Sequence, residues 1–416
     1  MTELYLARGE AGKFRFLPAL CVCALAISIR AQAKLPAPEH AQWPSPVTGK
    51  PLNLTMLKPD GFHSNQPLPM IIYLEHLAAP RVGTDSDQAI IRDFRARGYL
   101  VAILDYARDP RARVPFLNRD LYQLRDDLFR GRFLPRFKID PAHVFIVPSG
   151  DRLLRDVVFY HDPGRTLGMD LIYPSHPVEP VGAIIEFSCD NVNRMGNASL
   201  AICSDTILDG EATAGFAVAM ADHPVAPPYE GLDPMPQCAW KIKAAVRTLR
   251  VEGAGLGMNG KIAAVGFSRG SGMALMLVTT EGLKEFQGHG ENQEISDAVQ
   301  GAVVMSGRFT YLDLLPSDHM LPRYTGAWGD RATHLEVWRR EGALDYLTHA
   351  TLPLYLTINC AEGADALHQM VVLRQRLAEL GSDEIFMQDP QPRGHKVPVE
   401  PGVLAAMNRY LKAQLN

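Results

Sequence analysis

Short apolar runs alternate with amphipathic stretches along most of the chain. The first series has strand-like runs at Met70–Leu74, Leu100–Leu104 and Val144–Val147, with helical patterns at Gln88–Arg97 and Asp120–Phe129 between them. Strands that alternate with helices are typical of a parallel sheet that is covered on both faces. The pattern therefore predicts an α/β architecture that begins near residue 49.

A second and longer series of the same kind follows the first. It continues almost to the end of the chain, so the sheet that it predicts is larger than the first. The strands are predicted at Ala183–Phe187, Phe216–Ala221, Ile262–Val265, Gly301–Met305 and Leu354–Asn359, and the helices at Lys241–Arg250, His368–Leu380 and Val403–Gln414.

The two series share a pattern at an offset of about 115 to 118 residues, as a duplicated half-domain would. Pro51–Met56 and Thr166–Leu171 have the same apolar positions, and Gly150 falls where Ser268 stands in the second series. We hypothesise that residues 49–152 are a degenerate, inactive half-copy. The alternative is that any two α/β units share such patterning.

A Gly-x-Ser-x-Gly motif is centred on Ser268. The apolar run Lys261–Val265 precedes it and the helix-like stretch Met273–Val278 follows it. This order of strand, tight turn and helix is the context of a nucleophile elbow, in which glycines leave room for a sharply turned serine. The alternative interpretation is a glycine-rich turn whose serine only caps the helix.

From about Asp156 onward, the chain resembles α/β-hydrolases, specifically the branch of hormone-sensitive-lipase-like enzymes and carbohydrate esterases. The resemblance is carried by the elbow, by Asp156–Tyr160 and Met169–Pro174 as opening strands, and by Lys243–Arg250 as the helix before the elbow. It implies an α/β-hydrolase fold, with a mostly parallel central sheet and helices on both faces, preceded here by an additional N-terminal α/β segment. It also implies ester hydrolysis through an acyl-serine.

Such an enzyme needs an acid and then a base after its serine. His395 stands on a loop before the last helix, where the family keeps its histidine, and we favour it over His368. Two carboxylates follow the strand Leu354–Asn359. Asp365 is favoured as the acid because Asp365–Leu367 resembles the family's Asp-x-Leu, and Glu362 is the alternative.

The oxyanion hole is expected to use the backbone N–H of Arg269 and a donor from the loop after Phe187. The family often has His-Gly-Gly-Gly in that loop. This chain has Ser188-Cys189-Asp190-Asn191 instead, and the second donor is expected to be a backbone N–H near Cys189. The Arg269 side chain has two interpretations. It contacts a substrate oxygen or anion, or it pairs with a carboxylate and holds the elbow.

The N-terminal residues have the features of a targeting segment. Basic residues precede an apolar run from Phe16 to Ile29, and Ala31-Gln32-Ala33 supplies small residues for cleavage after Ala33. We expect a signal peptide at 1–33, a linker at 34–48 rich in proline and alanine, a catalytic domain at 153–416, and a secreted or periplasmic protein. A buried N-terminal helix is the alternative. Export allows disulfides, with their pairing open.

The net charge and the motifs of the chain limit the kinds of ligand that it is expected to bind. The net charge is -4, and the basic residues are scattered, which argues against nucleic acid. The spacings of a zinc site and the loops that bind nucleotides are lacking, so no metal or cofactor is implied. The expected substrate is a small-molecule or carbohydrate ester. We expect no stable membrane span in the protein, and its oligomeric state stays open. A peptidase of the prolyl-oligopeptidase type and a non-catalytic binding protein remain rival functions.

Overall fold

The structure is a computed structural model of the chain. It describes residues 37–46, 49–62, 66–74, 85–105, 123–124, 127–128, 130–175, 177, 179–187, 216–222, 224, 235–349, 351–398 and 400–416. The predicted signal peptide, Cys189 and most of the helix expected at 120–129 lie outside these residues.

A first sheet contains the early strands, in the order β1-β2-β4-β3-β5. One long helix, α1 (Asp85–Ala96), lies between its third and fourth strands. The strands are β1 (Glu39–Pro44), β2 (Pro51–Leu57), β3 (Leu68–Leu74), β4 (Leu100–Asp105) and β5 (Ile139–Pro148).

A second sheet has eight strands, in the order β13-β12-β11-β10-β8-β9-β7-β6. The strands are β6 (Asp151–Asp162), β7 (Arg165–Pro174), β8 (Val181–Phe187), β9 (Ala217–Ala221), β10 (Met258–Phe267), β11 (Gly301–Met305), β12 (Leu354–Asn359) and β13 (Glu384–Asp389). The helices that follow α1 among the described residues are α2 (Gln237–Ala254), α3 (Arg269–Thr279), α4 (Leu321–Trp328), α5 (Leu335–Glu341), α6 (Ala364–Leu380) and α7 (Pro401–Leu415).

Both sheets are mixed, whereas a mostly parallel sheet was expected. In the second sheet the neighbouring strands β9-β8-β10-β11-β12-β13 all pair in parallel. β7 is antiparallel to both β6 and β9. The reason lies in the connection between β6 and β7. Only Pro163 and Gly164 separate the two strands, and so short a turn joins antiparallel neighbours.

The first sheet has the same strand order and directions as the segment β6-β7-β9-β8-β10 of the second sheet. In this correspondence Pro148 and Gly266 pair with equivalent residues of the neighbouring strand, so Gly150 matches Ser268. Both residues have a positive φ, 85° for Gly150 and 57° for Ser268. The half-copy hypothesis requires such a correspondence, and it stays a hypothesis until the two segments are superposed.

Alternate strand residues divide between the two faces of each sheet. Ile262 and Ala264 of β10 contribute to the core beneath α2, α3 and α6. Ala263 and Val265 contribute to the core on the opposite face, where α7, α1 and one face of the first sheet pack. The first sheet thus covers part of a face that helices alone were expected to cover. The boundary predicted between residues 152 and 153 lies inside β6, the first strand of the second sheet.

Part of the predicted linker is a strand. β1 pairs with β2 over its whole length, and Trp43 is buried there with its indole N–H donating to Asp127 Oδ2 at 3.0 Å. Prolines and alanines at 34–48 indicated an irregular segment, but an edge strand tolerates proline, and Trp43 supplies the burial. None of the helices within the described residues is long and apolar enough to cross a membrane.

Candidate active site

Ser268 stands at the carboxyl end of β10, directly before α3. Its backbone has φ 57° and ψ -117°, outside the range that most residues adopt. The backbone N–H of Ser268 donates to the carbonyl of Met305 at 3.0 Å, which ties the turn to the neighbouring strand β11. The strand, turn and helix that the sequence predicted around this serine are therefore present, in a strained conformation typical of functional positions.

The glycines of the motif are required by close backbone contacts. A Cβ on Gly266 would lie 2.0 Å from the carbonyl oxygen of Gly270, and a Cβ on Gly270 would lie 2.0 Å from that of Phe187. A Cβ on Gly307 would lie 2.4 Å from the carbonyl oxygen of Ser268. Backbone atoms cannot move aside as a side-chain end can, so these positions accept only glycine.

His395 brings the serine and a carboxylate together. Its Nε2 lies 2.8 Å from Ser268 Oγ, and its Nδ1 lies 2.9 Å from Glu362 Oε2. An ionised carboxylate only accepts hydrogen bonds, so Nδ1 donates and the unprotonated Nε2 faces the hydroxyl. The Phe267 ring packs against the imidazole with ring centroids 4.8 Å apart. This is the tautomer that can take a proton from a serine.

Asp365, which the sequence favoured as the acid, does not contact His395. It lies in the first turn of α6, where Oδ2 is 3.1 Å from His319 Nδ1 and 3.5 Å from the guanidinium of Arg308. Glu362, the alternative, lies on the loop between β12 and α6. The acid expectation was therefore wrong because Asp365 is already part of a helix whose first turn faces the insertion after β11, the segment from Arg308 to Thr351 that precedes β12.

The Glu362 carboxylate is buried, and its side chain is 3% exposed. Burial raises the pKa of this carboxyl. Hydrogen bonds from His395, from the Ser306 hydroxyl and from the Gly363 backbone N–H outweigh burial and hold the pKa below its usual value. The carboxylate is therefore ionised at neutral pH and suited to stabilise a positive imidazolium.

A cavity of about 510 Å³ opens beside the serine. Its wall combines the groups named above with cationic, aromatic and apolar side chains, a size and mixture typical of small-molecule sites. Besides Ser268, His395 and Glu362, the lining includes Met235, Arg269, Met273, Arg308, Tyr311, His319, Arg323, Tyr324, Glu341 and Asp365.

The insertion after β11 supplies one wall of the cavity. Tyr311 and Tyr324 line it, and their rings pack edge to face at 5.0 Å. Trp328 and Trp338 are buried behind the tyrosines in a small apolar cluster. The tyrosines thus face the ligand space and the tryptophans support them.

The two expected oxyanion donors fare differently. Arg269 begins α3 and lines the cavity, and backbone N–H groups in the first turn of a helix lack partners within that helix. Cys189 lies outside the described residues. Both donors therefore stay predictions, and that of Arg269 is supported by its place directly after Ser268.

Three neighbouring side chains have the types that bind cations: Asp318, His319 and Asp365. Arg308 offsets one of the two carboxylate charges, because its Nε and Nη2 donate to the carboxylate oxygens of Asp318 at 2.7 and 2.6 Å, and Nη2 also lies 3.5 Å from Asp365 Oδ2. The cluster is therefore an ion-pair network that joins α6 to the insertion.

Several residues at the site were not singled out from the sequence. They include Ser306, Arg308 and Tyr324. A signal for the first two was present, since both follow the buried strand β11, and carboxyl ends of adjacent parallel strands meet at one edge of a sheet. Tyr324 lies on a short helix in the insertion, where the pattern gave no such indication.

The solved structures with a similar fold include esterases. A truncated carbohydrate esterase from gut microbiota is 18% identical, with a TM-score of 0.53, and the match covers 63% of this chain and 95% of that one. The bifunctional GH43-CE protein of Bacteroides eggerthii is 21% identical with a TM-score of 0.51, over 63% and 35% of the two chains. The esterase Est2 of Thermogutta terrifontis with bound propionate is 15% identical with a TM-score of 0.46, over 64% and 94%.

Neither a scan of protein-family models nor a search of curated proteins finds a match. The resemblance to esterases with an α/β-hydrolase-like fold is confirmed by the solved structures. At this level of identity the likeness concerns the fold alone.

Proposed function

We propose that this chain is a serine hydrolase of the α/β-hydrolase fold that cleaves carboxylic esters. His395 Nε2 takes the proton of Ser268 as its oxygen attacks the ester carbonyl carbon. The protonated imidazole then gives that proton to the leaving alcohol oxygen, and the acyl group stays on Ser268. Water attacks the acyl-serine with the help of the same imidazole, which releases the acid and restores the serine hydroxyl.

One observation carries the proposal: Ser268, His395 and Glu362 form a continuous chain of hydrogen bonds at the wall of a cavity. Glu362 orients the imidazole and stabilises its charged form. The backbone N–H of Arg269 is proposed as one oxyanion donor. The roles follow from geometry and chemistry together, because the same constellation recurs on unrelated folds that transfer acyl groups to serine.

Carboxylic esters are the proposed substrates because the solved structures of similar fold include a carbohydrate esterase. The cavity supports a small acyl or sugar ester, since polar and aromatic groups are combined on its wall.

Labelling with a fluorophosphonate tests the serine mechanism. We expect wild-type protein to be labelled and Ser268→Ala to remain unlabelled, with Ser149→Ala as a control that keeps the label. A panel of p-nitrophenyl esters and the matching aminoacyl anilides then assigns the bond that is cleaved. Folded wild-type protein that takes no label contradicts the proposal, and cleavage of anilides in preference to esters replaces it with a peptidase.

We further propose that residues 1–33 direct export and are removed. Basic residues followed by an apolar run and small residues at the cleavage position support this. The measurement is N-terminal sequencing of the protein recovered from the medium or periplasm. A mature chain that begins at Lys34 is expected, and an uncleaved protein that is retained in the cell contradicts it.

A further inference from the structure

We propose that Ser306 positions the catalytic acid, so that the hydrogen-bonded chain has four members rather than three. The inference rests on the proposed function. Ser306 Oγ donates a hydrogen bond of 2.8 Å to Glu362 Oε2, the same oxygen that faces His395 Nδ1. Ser306 acts through Glu362 and touches neither the substrate nor the serine oxygen.

The hydroxyl has a fixed role because of its surroundings. Ser306 is 2% exposed, so water does not compete for the contact. An ionised carboxylate has no proton to give, so the hydroxyl must be the donor. A buried hydrogen bond to a charged group is stronger than one between neutral groups, and it limits rotation of the carboxylate.

The backbone of Ser306 is held in an unfavourable conformation to make this contact. Its φ is 55°, in the left-handed region that costs a non-glycine residue free energy. The backbone N–H of Ser306 continues the pairing of β11 with β12 through the carbonyl of Thr357 at 3.0 Å. Strain of this kind persists only where surrounding contacts determine it, and here it aims the hydroxyl at Glu362.

Ser306 is also tied to the elbow. The buried hydroxyl of Ser271, on the first turn of α3, contacts the carbonyl oxygens of both Ser268 and Ser306. The turn with the nucleophile and the turn that orients the acid are thus linked by one side chain. The geometry keeps the two ends of the hydrogen-bonded chain in register.

The electrostatics of Glu362 support the same role. Burial raises the pKa of this carboxyl, and the Ser306 hydroxyl is one of the three donors that lower it again. Without Ser306, the charge of Glu362 is shared among fewer donors. The carboxylate then attracts a proton on the Glu362–His395 pair more strongly.

The test compares Ser306→Ala and Ser306→Gly with wild type on one p-nitrophenyl ester. Both variants lose the hydroxyl, but only glycine relieves the positive φ. We expect each to lower kcat about tenfold with KM changed less than about twofold, because the contact is to a charged group. The acidic limb of the kcat/KM profile is expected to move to higher pH in both.

Ser271→Ala is the matched control. It loosens the link between the two turns, so it is expected to lower stability and kcat, but it leaves every donor to Glu362 in place, so the acidic limb is expected not to move. Thermal melts establish that each variant is folded. The inference is overturned if folded Ser306→Gly retains the wild-type kcat and acidic limb. If wild type itself takes no fluorophosphonate label, the proposed function has failed; if it is labelled and Ser306 is dispensable, only this inference has failed.

Discussion

Oε2 of Glu362 lies 2.9 Å from Nδ1 of His395. This contact determines which imidazole nitrogen carries the proton, and therefore whether the nitrogen near the serine is able to accept one. Asp365, only three residues later, points into a different network with Arg308. The two carboxylates therefore have separate roles that mutation can distinguish.

Replacing Glu362 by glutamine is expected to lower kcat by about 10³ to 10⁴, because an amide no longer fixes the tautomer or stabilises the imidazolium. Asp365→Asn is expected to cost less than about tenfold in kcat, with any larger change in KM, since Asp365 lines the cavity but does not contact the imidazole. Steady-state kinetics on one ester measure both. A larger kcat loss in Asp365→Asn than in Glu362→Gln would reverse the assignment.

The acid illustrates where sequence reasoning reaches its limit. Ser268 and His395 were predicted because each has a local signal. Ser268 stands in a turn flanked by glycines, and His395 stands on a loop before the last helix. Glu362 and Asp365 both follow β12, and the choice depends on where α6 begins. α6 starts at Ala364, which places Asp365 inside the first turn and leaves Glu362 on the loop. A boundary shift of about two residues lies below what a pattern resolves.

Gly266→Ala is expected to destabilise the protein by at least about 2 kcal/mol, because its Cβ would overlap the Gly270 carbonyl and the elbow must shift. Gly326→Ala is the control. No atom lies within 4 Å of that Cβ position, and the residue is in helix α4, so alanine is expected to stabilise by about 0.4 to 1 kcal/mol. Urea unfolding of both variants measures the difference. Equal stabilities would contradict the required glycine.

Asp345 is expected to make stability depend on pH. Burial raises the pKa of its carboxyl to about 6, although the Thr310 hydroxyl donates to it. The folded state holds this proton after the unfolded chain has lost it, so the free energy of unfolding falls as pH rises from about 3.8 to about 6. Above about pH 6 the free energy of unfolding no longer changes through this group.

Asp345→Asn removes this titration. The stability of the variant relative to wild type is expected to rise from about pH 4 to about pH 6 and to stay constant from there to pH 8, measured as the change in urea midpoint at each pH. Glu379→Gln, an exposed carboxylate of α6, is the control and is expected to leave the pH dependence of wild type in place. A constant difference between Asp345→Asn and wild type across this range would refute the assignment.

The buried cations of α2 depend on one carboxylate. Lys243 Nζ lies 3.4 Å from Asp297 Oδ2, and Arg247 lies 3.8 Å from the same oxygen. Asp297→Ala leaves two buried cations without their counter-ion and is expected to cost about 3 to 5 kcal/mol. Lys243→Met leaves Asp297 paired with Arg247 and is expected to cost less. Urea unfolding gives both values. The reverse order would mean that Lys243 is held mainly by the Thr280 carbonyl oxygen, to which its Nζ donates at 3.2 Å.

Most strands of the fold followed from apolar runs, but their order did not. Runs such as Ile262–Val265 are buried on both faces, so the sequence predicts them as strands wherever they lie in the sheet. The neighbours of a strand depend on long-range pairing that no local pattern encodes. β1 was missed because its prolines and alanines outweighed Trp43, and β13 because Glu384 and Gln388 make an edge strand polar. The repeated pattern near Gly150 lies in two sheets that share a strand order, and the half-copy stays a hypothesis.

Gly150→Ser in a Ser268→Ala background tests whether a serine at the corresponding turn of the first sheet acts as a nucleophile. The Gly150 N–H donates to Tyr73 Oη at 2.8 Å and to Asp87 Oδ1 at 3.0 Å, and the Ser149 hydroxyl donates to the same Asp87 oxygen at 2.9 Å. The buried Asp87 carboxylate thus accepts from the turn at Gly150, whereas the corresponding N–H of Ser268 donates to the carbonyl of Met305. We expect no fluorophosphonate label on the double variant, and a stability loss of about 1 to 2 kcal/mol relative to Ser268→Ala, because serine replaces glycine at a φ of 85°. Labelling of the double variant at position 150 would mean that the first sheet is a second catalytic unit rather than a closed copy.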